Sequence, residues 1–390
     1  MALGPDGTIY QQGFGFLCAF DPSGKERWTS PKEIWVDSPP VVGQDGTIYV
    51  REATGRSADG VSTESHSGLL ALHPDGSVKW RFEVADIRAE PRGGAFAVDE
   101  RDTIWFCAGT DFFSPKTVWA INKDGKEICH LDTTNAFYSL PGIASDGSVF
   151  LQGSDGTNSQ LLRLETREQG HPPTSVQVHP HDPRAILSFS MDRNGCVYLP
   201  GGNGATLTAL NPDGSVRWLF KSSFRAFSAP TIGSGGALFF TAKAGGDDFF
   251  VVAVSGDGQQ LWSANIGPHW SMTSPVVGAD GALFVVSADP KVTALNPDGS
   301  KRWVFKPPFR LSMARPRNWK DLPRLWNKNF GKGRNVLCSP PVLTEDGRLY
   351  VYFAGPYNTL YALKAGVGLA TNSPWPMEGG APNQARRVQP

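Results

Sequence analysis

The sequence predicts an all-β fold, on three observations. A phrase of about 40–50 residues recurs along the chain. Each copy alternates short runs of Val, Ile, Leu, Phe and Tyr with Asp-Gly pairs, and Asp-Gly supplies the positive φ of a tight hairpin. The composition agrees. With 44 Gly and 31 Pro in 390 residues the chain suits many short strands and turns, and 40% hydrophobic against 19% charged residues leaves ample material for a core.

The repeat begins with an apolar run opening on Pro, followed by an Asp-Gly turn and a β-rich run. Its clearest copies are Pro40-Val41-Val42-Gly43 with Asp45-Gly46-Thr47-Ile48-Tyr49, and Pro275-Val276-Val277-Gly278 with Asp280-Gly281. The second half reads Ala71-Leu72-His73-Pro74-Asp75-Gly76 and closes on Trp80. It returns as Ala209-Leu210-Asn211-Pro212-Asp213-Gly214 to Trp218, and as Ala294-Leu295-Asn296-Pro297-Asp298-Gly299 to Trp303. Weaker copies bring the first turn to eight positions, near Asp6, Asp45, Asp102, Asp146, Asn194, Gly235, Asp280 and Asp346. Four short antiparallel strands with both faces apolar need neighbours, and a closed ring of such units leaves no long open edge. The expectation is a single eight-bladed β-propeller of four-stranded antiparallel blades over residues 1–390. Naming the strands A to D from the centre outwards, blade 1 starts with strand A at Met1. Strand D of blade 8 must come from the tail, at 367–371 or 373–377.

Those phrases, written SPxVxGxDGTIYV and LYALxPDGxxxWxF, together with the tail GLATNSPWPM, resemble the quinoprotein-type (PQQ-like) repeat. The resemblance covers nearly the whole chain and implies the propeller fold. It implies no single activity, because that family holds quinone-dependent dehydrogenases as well as outer-membrane assembly lipoproteins and kinase sensor domains. The dehydrogenases are longer and place adjacent cysteines beside the quinone. Here Cys18, Cys107, Cys129, Cys196 and Cys338 stand far apart, as buried reduced thiols would. No cofactor is expected. A protein-assembly role would bring apolar loops and a lipoprotein leader, and neither is visible.

Lys+Arg 37 balances Asp+Glu 37, so no global field argues for nucleic acid, and that partner is not expected. No run approaches the roughly 18 apolar residues of a membrane span. Met1-Ala2-Leu3-Gly4 is not a signal peptide, which leaves a cytoplasmic protein or one exported with its leader absent from this chain. Walker, GxSxG, HExxH and CxxC signatures are missing.

A meander puts the A–B and C–D turns on one rim and the B–C and D–A connections on the other. The long insertions are assigned to the second set, at 51–67, 83–92, 107–116, 169–184, 243–248 and 306–335. Elaborated loops on one face of a rigid scaffold are where binding sites form. Residues leading into strand A should ring the channel mouth there: Trp35, Asp37, Arg92, Phe137, Tyr138, Arg184, Arg225, Phe227, His269, Trp270, Arg334 and Asn335. Arginine and aromatic side chains together suit anions and the flat faces of sugars or quinones. The 306–335 insertion between blades 7 and 8 adds Trp319, Arg324 and Trp326 within a basic and aromatic stretch that has one acid, Asp321. His171, His179 and His181 are read as one loop, with His179 and His181 pointing the same way if extended.

Two functions fit. One is a binding or scaffold propeller for an anionic or aromatic-stacking ligand, such as a small molecule or glycan, or for a protein partner. The alternative is a lyase or hydrolase acting on an acidic glycan, with His269, Tyr138 or His181 supplying acid–base chemistry.

Overall fold

The computed structural model describes residues 1–13, 15–31, 33–36, 38–53, 67–84, 96–108, 117–132, 136–137, 141–154, 159–165, 174–181, 189–201, 206–226, 228–244, 248–267, 273–287, 290–307, 337–338, 340–354, 359–373 and 377. Among them there are strands and turns but no helix. The strands form eight antiparallel sheets, so the chain is an eight-bladed β-propeller.

Blade 1 runs Ala2–Leu3, Ile9–Gln12, Leu17–Phe20, Glu26–Thr29, and blade 2 runs Val41–Val42, Ile48–Ala53, Ser67–Leu72, Val78–Val84. Blade 3 runs Phe96–Val98, Ile104–Ala108, Thr117–Ile121, Glu127–Asp132, and blade 4 runs Gly142–Ile143, Val149–Ser154, Ser159–Glu165, Thr174–His181. Blade 5 runs Ser190–Met191, Val197–Pro200, Thr206–Leu210, Val216–Lys221, and blade 6 runs Thr231–Ile232, Leu238–Lys243, Phe249–Val254, Gln260–Gly267. Blade 7 runs Val276–Val277, Leu283–Ser287, Lys291–Leu295, Lys301–Phe305. Blade 8 has strands A to C at Val342–Leu343, Arg348–Ala354 and Thr359–Lys364. Its fourth strand is an extra inner segment, Leu337–Cys338.

The repeat phrase has a local cause at each step. In the A–B turn the carboxylate of Asp45 accepts the N–H of Thr47 at 2.9 Å, and Gly46 takes φ 83°. The C–D turn repeats this with Asp75, whose carboxylate accepts the N–H of Ser77 at 2.9 Å. Blade 3 has no glycine in its first turn, and Asp102 itself adopts φ 56°, a conformation asparagine and aspartate tolerate better than most residues.

The core lies between blades rather than under one sheet. Strands A to C are buried on both faces, as in Lys291–Leu295, while strand D alternates with solvent, as in Lys301–Phe305. One apolar cluster joins Met1, Leu3 and Ile9 to Val276, Phe284, Val342 and Tyr350, so blades 7, 8 and 1 close the ring together. The Tyr350 hydroxyl donates to the Pro22 carbonyl at 3.3 Å across the same junction.

The tail departs from expectation. Residues 367–371 do not flank Thr359–Lys364. They turn inwards over the A–B turns: Leu369 N–H donates to Thr344 O at 3.0 Å, Ala370 N–H to Val277 O at 3.1 Å, and Ala279 N–H to Gly368 O at 2.8 Å. Ser373, fully buried, donates its hydroxyl to Ile232 O in blade 6. Burying Leu369, Ala370 and Met377 stabilises this path more than an exposed outer strand would, at about 25 cal/mol per Å² of apolar surface. Residues 374–376 of the second candidate strand lie outside the described residues.

Candidate functional site

The two rims differ as the meander requires, with one correction. Thr174–His181 is strand D of blade 4, paired from Glu165↔Thr174 to Ser159↔His181. The stretch 169–184 is therefore not one looped-face insertion. Its first part, up to residue 173, belongs to the C–D connection on the tight-turn rim. The pairing runs through the backbone with a register shift near Leu161/Leu162, and it forms although the segment lacks the usual strand D aromatic.

On the looped rim the inner layer is doubled in alternate blades. Among the described residues, a second inner segment pairs with strand B in blades 2, 4, 6 and 8: Val36↔Glu52, Ala136–Phe137 with Gly153 and Ser154, Arg225–Ala226 with Ala242 and Lys243, and Leu337–Cys338 with Phe353 and Ala354. In blades 2 and 6 a serine fills the gap between this segment and strand A. Ser38 Oγ accepts the N–H of Arg51 at 2.8 Å, and Ser228 Oγ accepts that of Thr241 at 3.0 Å. In these two blades the serine thus substitutes for a ladder partner of strand B.

Blade 6 brings two cations together there. Arg225 stands directly opposite Lys243 on the neighbouring strand. Facing residues in an antiparallel pair have Cβ atoms about 4.5–5.5 Å apart, and like charges at that position repel. Arg225 is exposed and forms no ion pair among the described residues, and the Lys243 ammonium sits 5.7 Å from the centre of the Phe249 ring. Lys243 was missed by reading the sequence alone. The serine linker puts two extra residues on the inner side, so counting outwards from the turn misses the true partner of Arg225.

Blade 2, four blades away across the ring, is built differently. Trp35 is half-buried, and a Cβ on Gly15 would lie 2.8 Å from its indole, so the close approach requires glycine. Behind it, Arg81 Nε donates to the buried Glu52 carboxylate at 2.8 Å. That hydrogen bond raises the Arg81 guanidinium further above its ordinary value. Blade 2 thus pairs a cation with a buried carboxylate, whereas blade 6 sets two cations opposite each other in its ladder.

The other sequence-predicted positions divide plainly. Asp37, Arg92, Tyr138, Arg184, Phe227, His269, Trp270, Trp319, Arg324, Trp326 and Arg334 lie outside the described residues, as does the 308–336 part of the insertion. Phe137 is placed by its backbone on the inner segment of blade 4. His181 ends the outermost strand of that blade, facing Ser159, and His179 faces Leu161. His181 thus belongs to the perimeter of the looped rim, three strands out from strand A. Among the described residues no three His, Cys, Asp or Glu side chains are grouped to hold a metal. No helix there is long and apolar enough to cross a membrane.

Comparison with known proteins follows the architecture. The family model for outer membrane protein assembly factor BamB matches residues 247–316. No curated protein matches the chain. Among solved structures, BamB from Moraxella catarrhalis is similar over 86% of this chain and 89% of that one, at 14% identity and a TM-score of 0.54. Dihydro-heme d1 dehydrogenase NirN is similar over 94% of this chain and 75% of its own, at 12% identity and TM-score 0.56. Virginiamycin B lyase from Staphylococcus aureus covers 73% and 89%, at 14% identity and TM-score 0.51. Identities this low speak for fold alone, and the three neighbours differ in function. The chain is an eight-bladed β-propeller, and its residues 247–316 carry the PQQ-like repeat signature.

Proposed function

We propose that the chain is a binding propeller that recognises an anionic or aromatic-stacking ligand, a small molecule or glycan, at the channel mouth on the looped rim. The observation that carries this reading is the cross-strand pair of Arg225 and Lys243. Two cations facing each other between the extra inner segment and strand B would both attract an anion bound between them. Trp35 offers an aromatic face on the opposite side of the ring, and tight turns occupy the other rim.

The lyase or hydrolase alternative depends on His269 and Tyr138, both outside the described residues, and on His181 at the perimeter. No described geometry favours it over binding.

A thermal-shift screen with acidic oligosaccharides, small aromatic acids and neutral sugars tests the proposal. A ligand at ~100 times its Kd adds about 2.7 kcal/mol, enough for a readable shift. Stabilisation by acidic probes and not by neutral ones is expected. A screen in which no anionic or aromatic probe moves the melt would contradict the reading. Product formation with an acidic glycan, lost in His269→Ala, would move the assignment to the enzyme.

A further inference from the structure

Blade 8 ends early. Among the described residues nothing lies outside Thr359–Lys364, its strand C, whereas seven other blades carry a strand D. The consequence shows at one repeat position. Ala19, Ala71, Ala209, Ala253 and Ala294 each face a strand D tryptophan, and all are fully buried. The same position in blade 8, Ala362, is exposed, as is Lys364.

The neighbouring turn carries a matching gap. A Cβ on Gly76, Gly125, Gly258 or Gly299 would lie 2.9, 2.7, 2.8 or 2.7 Å from the indole of the preceding blade. Gly24, their counterpart in blade 1 beside blade 8, has no atom within 4 Å of that point. At the Pro22 carbonyl, where an indole donates at other junctions, the donor among the described residues is the Tyr350 hydroxyl, at 3.3 Å.

Charge narrows the occupant further. In three blades the residue before the tryptophan is a cation that grips the A–B turn aspartate: Arg27 to Asp6 at 2.9 Å, Lys79 to Asp45 at 3.0 Å and Arg302 to Asp280 at 2.6 Å. In blade 8 the turn presents Glu345 and Asp346, both exposed; Asp346 accepts the Thr344 hydroxyl of its own turn, and the cation it meets among the described residues is the exposed Arg348 of strand B, at 3.1 Å.

We infer that the outer edge of Thr359–Lys364 is a strand-addition site for an extended segment of a partner protein carrying a cation followed by tryptophan. The backbone of the added strand continues the ladder, its indole covers Ala362 and Gly24, and its cation meets Glu345 and Asp346. This site lies on the perimeter and is independent of the channel mouth.

The probe is a fluorescently labelled peptide with the sequence of residues 299–306 (Gly-Ser-Lys-Arg-Trp-Val-Phe-Lys), the strand D of blade 7. Its binding is followed by anisotropy, with hydrogen exchange of the intact protein as the second readout. Saturable binding is expected, with slowed exchange confined to 359–364. Replacing the peptide tryptophan by Ala, or Ala362→Arg in the protein, should each weaken it at least about tenfold. Because Ala362 is exposed, the variant should melt with wild type. Absence of saturation up to about 1 mM peptide would overturn the inference. So would binding indifferent to Ala362→Arg, or a dimer of this chain that Ala362→Arg dissociates, which would make the edge a contact between copies.

Discussion

The indole N–H of Trp80 donates to the carbonyl of Lys123 at 2.8 Å, tying the outer strand of blade 2 to the C–D turn of blade 3. Trp28 does the same to Pro74, Trp218 to Gly256 and Trp262 to Pro297, each at 2.9 Å. The acceptor always precedes the turn's Asp-Gly, and the indole lies over the turn glycine. The two most visible features of the repeat are therefore halves of one joint between blades.

Breaking that joint in two ways separates its parts. Trp80→Phe keeps an aromatic ring near Tyr49, 5.9 Å away, and removes the donor, which should cost about 1 kcal/mol. Gly125→Ala puts a Cβ 2.7 Å from the indole at φ 77°, which should cost about 1–3 kcal/mol. Urea unfolding of both variants measures the order, with the glycine variant the less stable.

The inward tail is tested at Gly368. A Cβ there would lie 2.0 Å from the carbonyl oxygen of Glu345, and backbone on both sides leaves little room to yield. Gly368→Ala should lower the melting temperature clearly, while Gly366→Ala, with open space around it but φ 81°, should lower it less.

Acid should weaken the ring through the turn carboxylates. Burial pushes the Asp45 carboxyl up, but the hydroxyl and N–H of Thr47 and the Lys79 ammonium outweigh it and hold it below the ordinary 3.8. Asp280 is held low in the same way, burial being outweighed by Arg302 and the Ala282 N–H. A depressed folded-state value contributes stability above about pH 4 that is lost as pH falls through it. Denaturation from pH 6 down to 2.5 should show this loss, and Asp45→Asn should flatten part of it.

The thiols should be inert in the native protein. Burial raises the Cys18 thiol, and burial with the Asp192 carboxylate raises Cys196. Alkylation at pH 8, mapped by peptide mass, should be slow at both sites until the protein is unfolded, because the thiolate is the reactive form.

Much of the fold could be read beforehand because it is written in local chemistry. Each of the eight expected first turns lies within one residue of an observed positive φ, from Gly7 to Gly347, including Asp102. What escaped depends on contacts distant in sequence. Thr174–His181 has neither the aromatic nor the Asp-Gly lead-in of a strand D, and its place follows from backbone pairing to Ser159–Glu165. The tail's path is set by Val277 and Thr344, and nothing within the tail signals it. At the site, the sequence brought Trp35 and Arg225 to notice, but Lys243 and the Glu52–Arg81 pair emerge only once the register is known.

The most direct test of the proposed site is a calorimetric titration of an acidic oligosaccharide into wild type and an Arg225→Glu/Lys243→Glu variant, at low and high salt. The account predicts binding that weakens with salt, since exposed charges are screened beyond about 8–10 Å at physiological ionic strength. It also predicts a loss of at least about tenfold in the charge-reversed variant. Binding that ignores both salt and charge reversal would contradict it.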